Sequence, residues 1–193
     1  MRRMLSVLLM GVLLTGCGTG QQVPDRIMLL RQRLQTQVCS FDGAITADYG
    51  TAVYDFTLHC QGMPDGSLHF TVTEPESIRD ITGIVCQAGG RLTFDGTLLA
   101  FPMLADGQLT PVSAPWLLFN TLRSGCLTSW GREGEDLLLS MDDSYQSDPL
   151  HLDIRLDPED RPVLCQILWR DRRIVTVQIR NFRFTGEARP GAV

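Results

Sequence analysis

Two periodicities divide the chain. Over residues 24–38 apolar side chains recur at spacings of three and four, with Ile27, Leu30, Leu34 and Val38 on one stripe, which predicts an amphipathic helix. Pro24 suits its first turn. From about residue 51 the period changes to two. Over 51–60, Ala52, Tyr54, Phe56, Leu58 and Cys60 share one face of a strand, and Thr51, Asp55, Thr57 and His59 share the other. Met63-Pro64-Asp65-Gly66 predicts a turn, because proline presets φ and glycine accepts positive φ. Leu68, Phe70 and Val72 continue the alternation, a third strand is expected over 78–86, and Asp95-Gly96 between 91–94 and 97–101 predicts a hairpin.

Residues 102–115 contain three prolines and read as loop. Ser113 is placed to cap a short helix over 114–123 that Gly125 ends. Trp116, Leu117, Leu118, Phe119 and Leu122 make that helix apolar nearly all round, so it must be covered on several sides. The last third returns to period two. Residues 127–131 and 135–141 predict a hairpin, and Leu150, Leu152, Ile154 and Leu156 alternate with His151, Asp153, Arg155 and Asp157. A turn over 157–162 leads to a strand over 163–169, and a turn over 170–173 to a last strand over 174–184. In that strand Val175, Val177 and Ile179 are odd-numbered and Phe182 and Phe184 even, so a bulge is expected near Arg180-Asn181. The predicted class is α+β: a curved antiparallel sheet with helices on one face.

The start of the chain follows a different logic. Arg2 and Arg3 precede an apolar run over 5–14, too short for a bilayer, which takes about 20 residues, and right for a signal-peptide core. Leu14-Thr15-Gly16-Cys17-Gly18 resembles the lipobox of bacterial lipoproteins. The resemblance implies a diacylglyceryl group on the Cys17 thiol and cleavage before it. No alanine occurs before Ala44, so the alternative Ala-x-Ala cleavage site is missing. The expected organisation is a signal peptide over 1–16, lipidated cysteine and tether over 17–23, one domain over 24–185 and a frayed tail over 186–193. Two acyl chains suffice for stable anchoring. Gly18, where an inner-membrane retention signal would place aspartate, leaves an outer membrane open as the destination. The protein is expected outside the cytoplasm, anchored to a membrane.

Charge and cysteine content narrow the chemistry. All 17 basic residues are arginine. With Arg2 and Arg3 removed, 15 arginines face 22 acids, a net charge near −7, which argues against nucleic acid as a partner. Export leaves Cys39, Cys60, Cys86, Cys126 and Cys165, an odd number without a Cys-x-x-Cys; buried free thiols are the simple reading. Cys60 and Cys86 are expected two strand spacings apart, near 10 Å, beyond the ~7 Å a disulfide tolerates. The three histidines, His59, His69 and His151, sit in no nucleophile elbow, Walker loop or dinucleotide fingerprint. Asp142-Asp143 and Glu133, Glu135 and Asp136 lack calcium-loop spacing. A hairpin register centred on Pro64 sets His59 opposite His69, two potential ligands without a third. No catalytic residue, metal or cofactor is expected.

Tyr54-Asp55-Phe56-Thr57-Leu58, Val72-Thr73-Glu74-Pro75-Glu76, Arg91-Leu92-Thr93-Phe94-Asp95-Gly96 and Val177-Gln178-Ile179-Arg180-Asn181-Phe182 resemble successive strand ends and turns of the LolA/LolB-like superfamily. Over 24–185 the resemblance implies an incomplete barrel with helices on its concave side, and no catalytic motif. It also implies one of two roles. The half-barrel holds a lipid or a lipoprotein acyl chain, or the protein is a non-catalytic partner of another envelope enzyme, as the clostridial spore-germination lipoproteins resemble. Trp116, Leu117, Phe119, Tyr54 and Phe56 are the candidate contacts with ligand or partner; the alternative for Trp116 and Phe119 is that they fill the core.

Overall fold

The computed structural model describes residues 22–105, 108–145 and 148–185. The expected signal peptide over 1–16, Cys17 and the expected tail over 186–193 lie outside them. The first helix, α1, spans Gln22–Thr36. It takes in Gln22 and Val23, which the sequence reading gave to the tether, and it buries Val23, Ile27, Leu30 and Leu34. Among the described residues thirteen strands follow in chain order. The first six are β1 (Cys39–Asp48), β2 (Val53–Gly62), β3 (Leu68–Glu74), β4 (Thr82–Cys86), β5 (Gly89–Phe94) and β6 (Thr97–Phe101). The two-residue pieces β7 (Leu104–Ala105) and β8 (Gln108–Leu109) precede the second helix, α2 (Ala114–Ser124). The chain closes with β9 (Cys126–Glu133), β10 (Asp136–Asp142), β11 (His151–Leu156), β12 (Pro162–Trp169) and β13 (Arg172–Phe184).

Eleven strands form one antiparallel sheet in the order β6-β5-β4-β3-β2-β1-β13-β12-β11-β10-β9. It is two meanders joined where β1 pairs with β13. The sheet does not close, since β6 and β9 are both edges, and it is consistent with a half-barrel. Topology then dictates the cover. The chain leaves β6 at one edge and must reach β9 at the other, so residues 102–125 cross a whole face. Alternate residues of every strand point to that inner face: Phe41, Ile45, Leu58, Phe70, Leu139, Ile154 and Val177 are all buried there.

The two ends of the strands are filled differently. At one end α2 is held on the β2–β3 turn, where Trp116 Nε1 donates to the Gly66 carbonyl at 2.9 Å and Arg123 Nη2 to the Pro64 carbonyl at 2.7 Å. Gly62 shows how close the packing is: a Cβ there would stand 2.5 Å from the Phe119 ring. The helix α1 lies at the same end. Arg26 pairs with Asp160 in the β11–β12 turn at 2.6 Å, and Arg31 Nη2 donates to the Gly125 carbonyl. The opposite end, with the β1–β2, β3–β4 and β5–β6 connections, has neither helix.

Several expectations change. Ser113 makes no capping bond; its hydroxyl is buried without a partner. It already has helical φ and ψ as the end of a 3-10 turn over Pro111–Ser113, so its side chain is not turned back on the first helical N–H groups. The strand expected over 78–86 begins only at Thr82, because Glu76–Ile78 forms a 3-10 turn. His59 and His69 are not opposite each other: His59 faces Thr71 and His69 faces Gln61. The loop explains the shift. Gly66 takes φ 93° and closes a three-residue loop centred on Asp65 rather than Pro64, with Met63 N–H donating to the Ser67 carbonyl at 2.8 Å, so each partner moves by two residues. The bulge near Arg180-Asn181 is present: pairing slips between Ser40 and Asp42, opposite Asn181 at φ 55°. The five described cysteines are all free, with Cys39, Cys60 and Cys165 buried and Cys86 exposed.

Candidate functional site

The end of the sheet without helices leaves space on the inner face. Its first cavity, about 420 Å³, is bounded by Tyr54 and Phe56 of β2, Phe70 and Val72 of β3, and Leu92 of β5. Ile78 and Ile81 of the β3–β4 connection and Pro111 and Val112 of the crossing segment complete it. None of its lining residues is an acid, arginine or histidine. The apolar surface runs on past the cavity: Tyr54 is 51% exposed, and Phe94 and Leu99 on the same face are half-exposed. Period two places these side chains here. They continue the inner-face rows of Leu58, Phe70 and Val85 beyond the reach of α1 and α2.

A second cavity of about 480 Å³ adjoins the first and shares Tyr49 and Leu109 with it. Leu150, Trp169 and Ile174 form its apolar wall, and Asp148, Arg170 and Arg172 its polar rim. Arg170 lies 4.6 Å above the Trp169 ring and 3.5 Å from Asp148. The partition is a strap. The crossing segment 102–113 forms the short β7–β8 ladder, pinned by Thr110 Oγ1 to the Pro102 carbonyl at 2.7 Å and by the Tyr49 hydroxyl donating to the Leu109 carbonyl. Burial, with Tyr54 nearby, pushes the Tyr49 hydroxyl up to about 12, so it is a donor at any physiological pH.

Sequence reading and structure part over the two aromatic groups. Tyr54 and Phe56 line the first cavity. Trp116, Leu117 and Phe119 are 5%, 3% and 2% exposed, belong to the helix-filled end and line neither cavity. Tyr49, Leu92, Leu109 and Trp169 also line the cavities, although the sequence pattern does not mark them as contacts. Leu92 had a legible signal, an apolar residue in the same alternation as Phe94; Leu109 had none, because the prolines around it read as loop.

The outer face carries polar groups. His59 Nδ1 and Asp42 Oδ1 are 2.7 Å apart, and Asn181 Nδ2 donates to Asp42 Oδ2 at 2.7 Å. Burial pushes the Asp42 carboxyl up, but the bonds from Asn181 and His59 and the nearby charge of Arg183 outweigh it and hold it below its usual value. His151 Nδ1 meets Asp142 at 2.8 Å. Among the described residues no three of His, Cys, Asp and Glu cluster as metal ligands, and no helix is long and apolar enough to cross a membrane.

No family model matches the chain, and no curated protein does. Solved structures resemble it at very low identity. An uncharacterised conserved protein from Thermus thermophilus is 11% identical, with a TM-score of 0.48 over 86% of this chain and 89% of that one. A LolA superfamily protein from Nitrosomonas europaea is 7% identical, at 0.43 over 85% and 94%. LprF from Mycobacterium bovis is 9% identical, at 0.40 over 86% and 96%.

Proposed function

We propose that this is a non-catalytic envelope lipoprotein that holds an apolar chain, a lipid or a lipoprotein acyl group, against Tyr54 and Phe56. The observation behind the reading is the 420 Å³ cavity whose lining is apolar and which neither helix fills. Its size falls in the range of small-ligand sites, and exposed apolar surface of this extent marks a binding face. The protein's own residues do three things: Phe56, Leu92 and Val72 exclude water, Tyr49 holds the strap over the partition, and Trp116, Leu117 and Phe119 seal the far end. The anchor on Cys17 fits this arrangement. The start of α1 lies beside the β11–β12 turn, at the strand ends opposite the cavities. A chain tethered just before α1 therefore presents the cavity mouth away from its own membrane, as a receptor does. A second reading, a scaffold for another envelope or spore cell-wall enzyme, is favoured by the apolar surface that Tyr54 and Phe94 leave exposed beside the cavity.

One experiment tests both halves of the proposal. Mass spectrometry of the full chain, isolated from membranes and freed of detergent, should show a covalent acyl mass that Cys17→Ser removes. It should also show a non-covalent lipid that Phe56→Arg removes. Phe56 is half-buried, so this variant should still fold while binding dansyl-undecanoate at least tenfold more weakly, on the order of 1.4 kcal/mol. A wild type without bound lipid and without affinity for the probe would sink the carrier reading.

A further inference from the structure

The strand β6 is an edge of the sheet and lacks the devices that normally guard one. Thr97, Leu98, Leu99 and Ala100 are all exposed, Leu98 at 64%. The strand carries no charge, and proline comes only after it, at Pro102. Its backbone direction follows from the hairpin. Phe94 and Thr97 flank a two-residue loop and form a hydrogen-bonded pair, and Leu92↔Leu99 and Gly90↔Phe101 repeat it. The N–H and C=O groups of Leu98 and Ala100 therefore point to the side on which β6 has no neighbouring strand. The opposite edge, β9, is defended: Arg132 and Glu133 are exposed on it, and its pairing with β10 is broken by a bulge.

We propose that β6 is where two copies of this chain pair, antiparallel about a two-fold axis at Leu99. The register is selected by the edge itself. Centred on Leu99, Leu98 lies opposite Ala100 of the second copy and Ala100 opposite its Leu98, which engages every outward group of both residues in four hydrogen bonds. A large side chain then meets a small one twice on the outer face, Leu99 meets its own counterpart on the inner face, and no charge is brought against a like charge. A register centred on Ala100 sets Leu98 against Pro102, which has no N–H to give. One centred on Leu98 sets Ala100 against Gly96 in the turn. The pairing is self-complementary and closes as a dimer, whereas β6 on β9 would run on as a filament past the charges of Arg132 and Glu133.

Cysteine crosslinking of the full chain in mild detergent reads the register. In a Cys86→Ser background, which removes the exposed thiol, Leu99→Cys places two thiols on a non-hydrogen-bonded pair with Cα atoms about 4.5 Å apart, within disulfide reach. Thr97→Cys, on the same strand and face, is about 14 Å from its counterpart in this register. Copper phenanthroline should give covalent dimers from Leu99→Cys and not from Thr97→Cys. Adding Ala100→Arg to Leu99→Cys should cut the yield at least tenfold, and light scattering should find the wild type dimeric and Ala100→Arg monomeric. A monomeric wild type with no excess crosslink at Leu99→Cys overturns the proposal. So do equal yields from the two cysteines, or open polymers.

Discussion

Trp116 is the residue at which packing and cover are separable. Its ring is 5% exposed and its Nε1 is satisfied by the Gly66 carbonyl at 2.9 Å, so it acts as a rivet between α2 and the β2–β3 turn. Truncation leaves a cavity and an unpaired carbonyl at once. Trp116→Ala should cost about 3–5 kcal/mol, a fall of roughly 10 °C in Tm for a domain of this size. Tyr54→Ala, half in water, should cost less than about 1 kcal/mol and act on ligand instead. Thermal melts of both variants check the contrast. A Trp116→Ala protein that melts within about 2 °C of the wild type would show that α2 is a loose cover after all.

At the scale of elements, the segment that decides access is the strap over 102–113, not α2. Among its described residues Leu109, at 2% exposure, is the buried apolar anchor, and its ladder is two residues on each side. Such segments open at low free energy. Tyr49→Phe removes the hydroxyl that holds the Leu109 carbonyl, a net loss of about 1 kcal/mol. Amide exchange over 103–112 should quicken about fivefold, while α2 amides stay as slow as before. Equal exchange in variant and wild type would mean that the latch does not restrain the strap.

For the whole molecule, the seam between the two meanders is decisive, because among the described strands the pairing of β1 with β13 is the one that joins them into a single sheet. Asp42 sits on that seam, tied to His59 of β2 on one side and Asn181 of β13 on the other. Its carboxyl is held below its usual value. A depressed carboxylate stabilises the fold above its unfolded pKa of about 3.9, and the contribution is lost as pH falls through the folded value. Wild-type Tm should therefore decline below about pH 4 more steeply than that of Asp42→Asn. Parallel Tm curves for the two proteins from neutral pH down into the acid range would remove Asp42 from the account.

The chain by itself determined most of its elements, but not the central strand β1 (Cys39–Asp48), which the sequence pattern did not mark. Period-two runs at 53–60 and 151–156, the Asp95-Gly96 hairpin, the phase slip at Asn181 and the apolar helix after residue 113 are local patterns. Each is set by which neighbouring side chains must share a face. The same alternation marked Tyr54 and Phe56, because an inner-face position is legible whether or not anything covers it. Coverage is what only the tertiary structure decided. Whether Trp116 plugs the core or gates a cavity depends on where residues 102–125 cross an eleven-stranded sheet. Local spacing carries no record of that path. The pairing of β1 with β13, between opposite ends of the domain, was equally hidden. So was the centre of the β2–β3 hairpin, at Asp65 rather than Pro64, which sets His59 opposite Thr71 instead of His69, because a turn's register is settled by the strands that it must join.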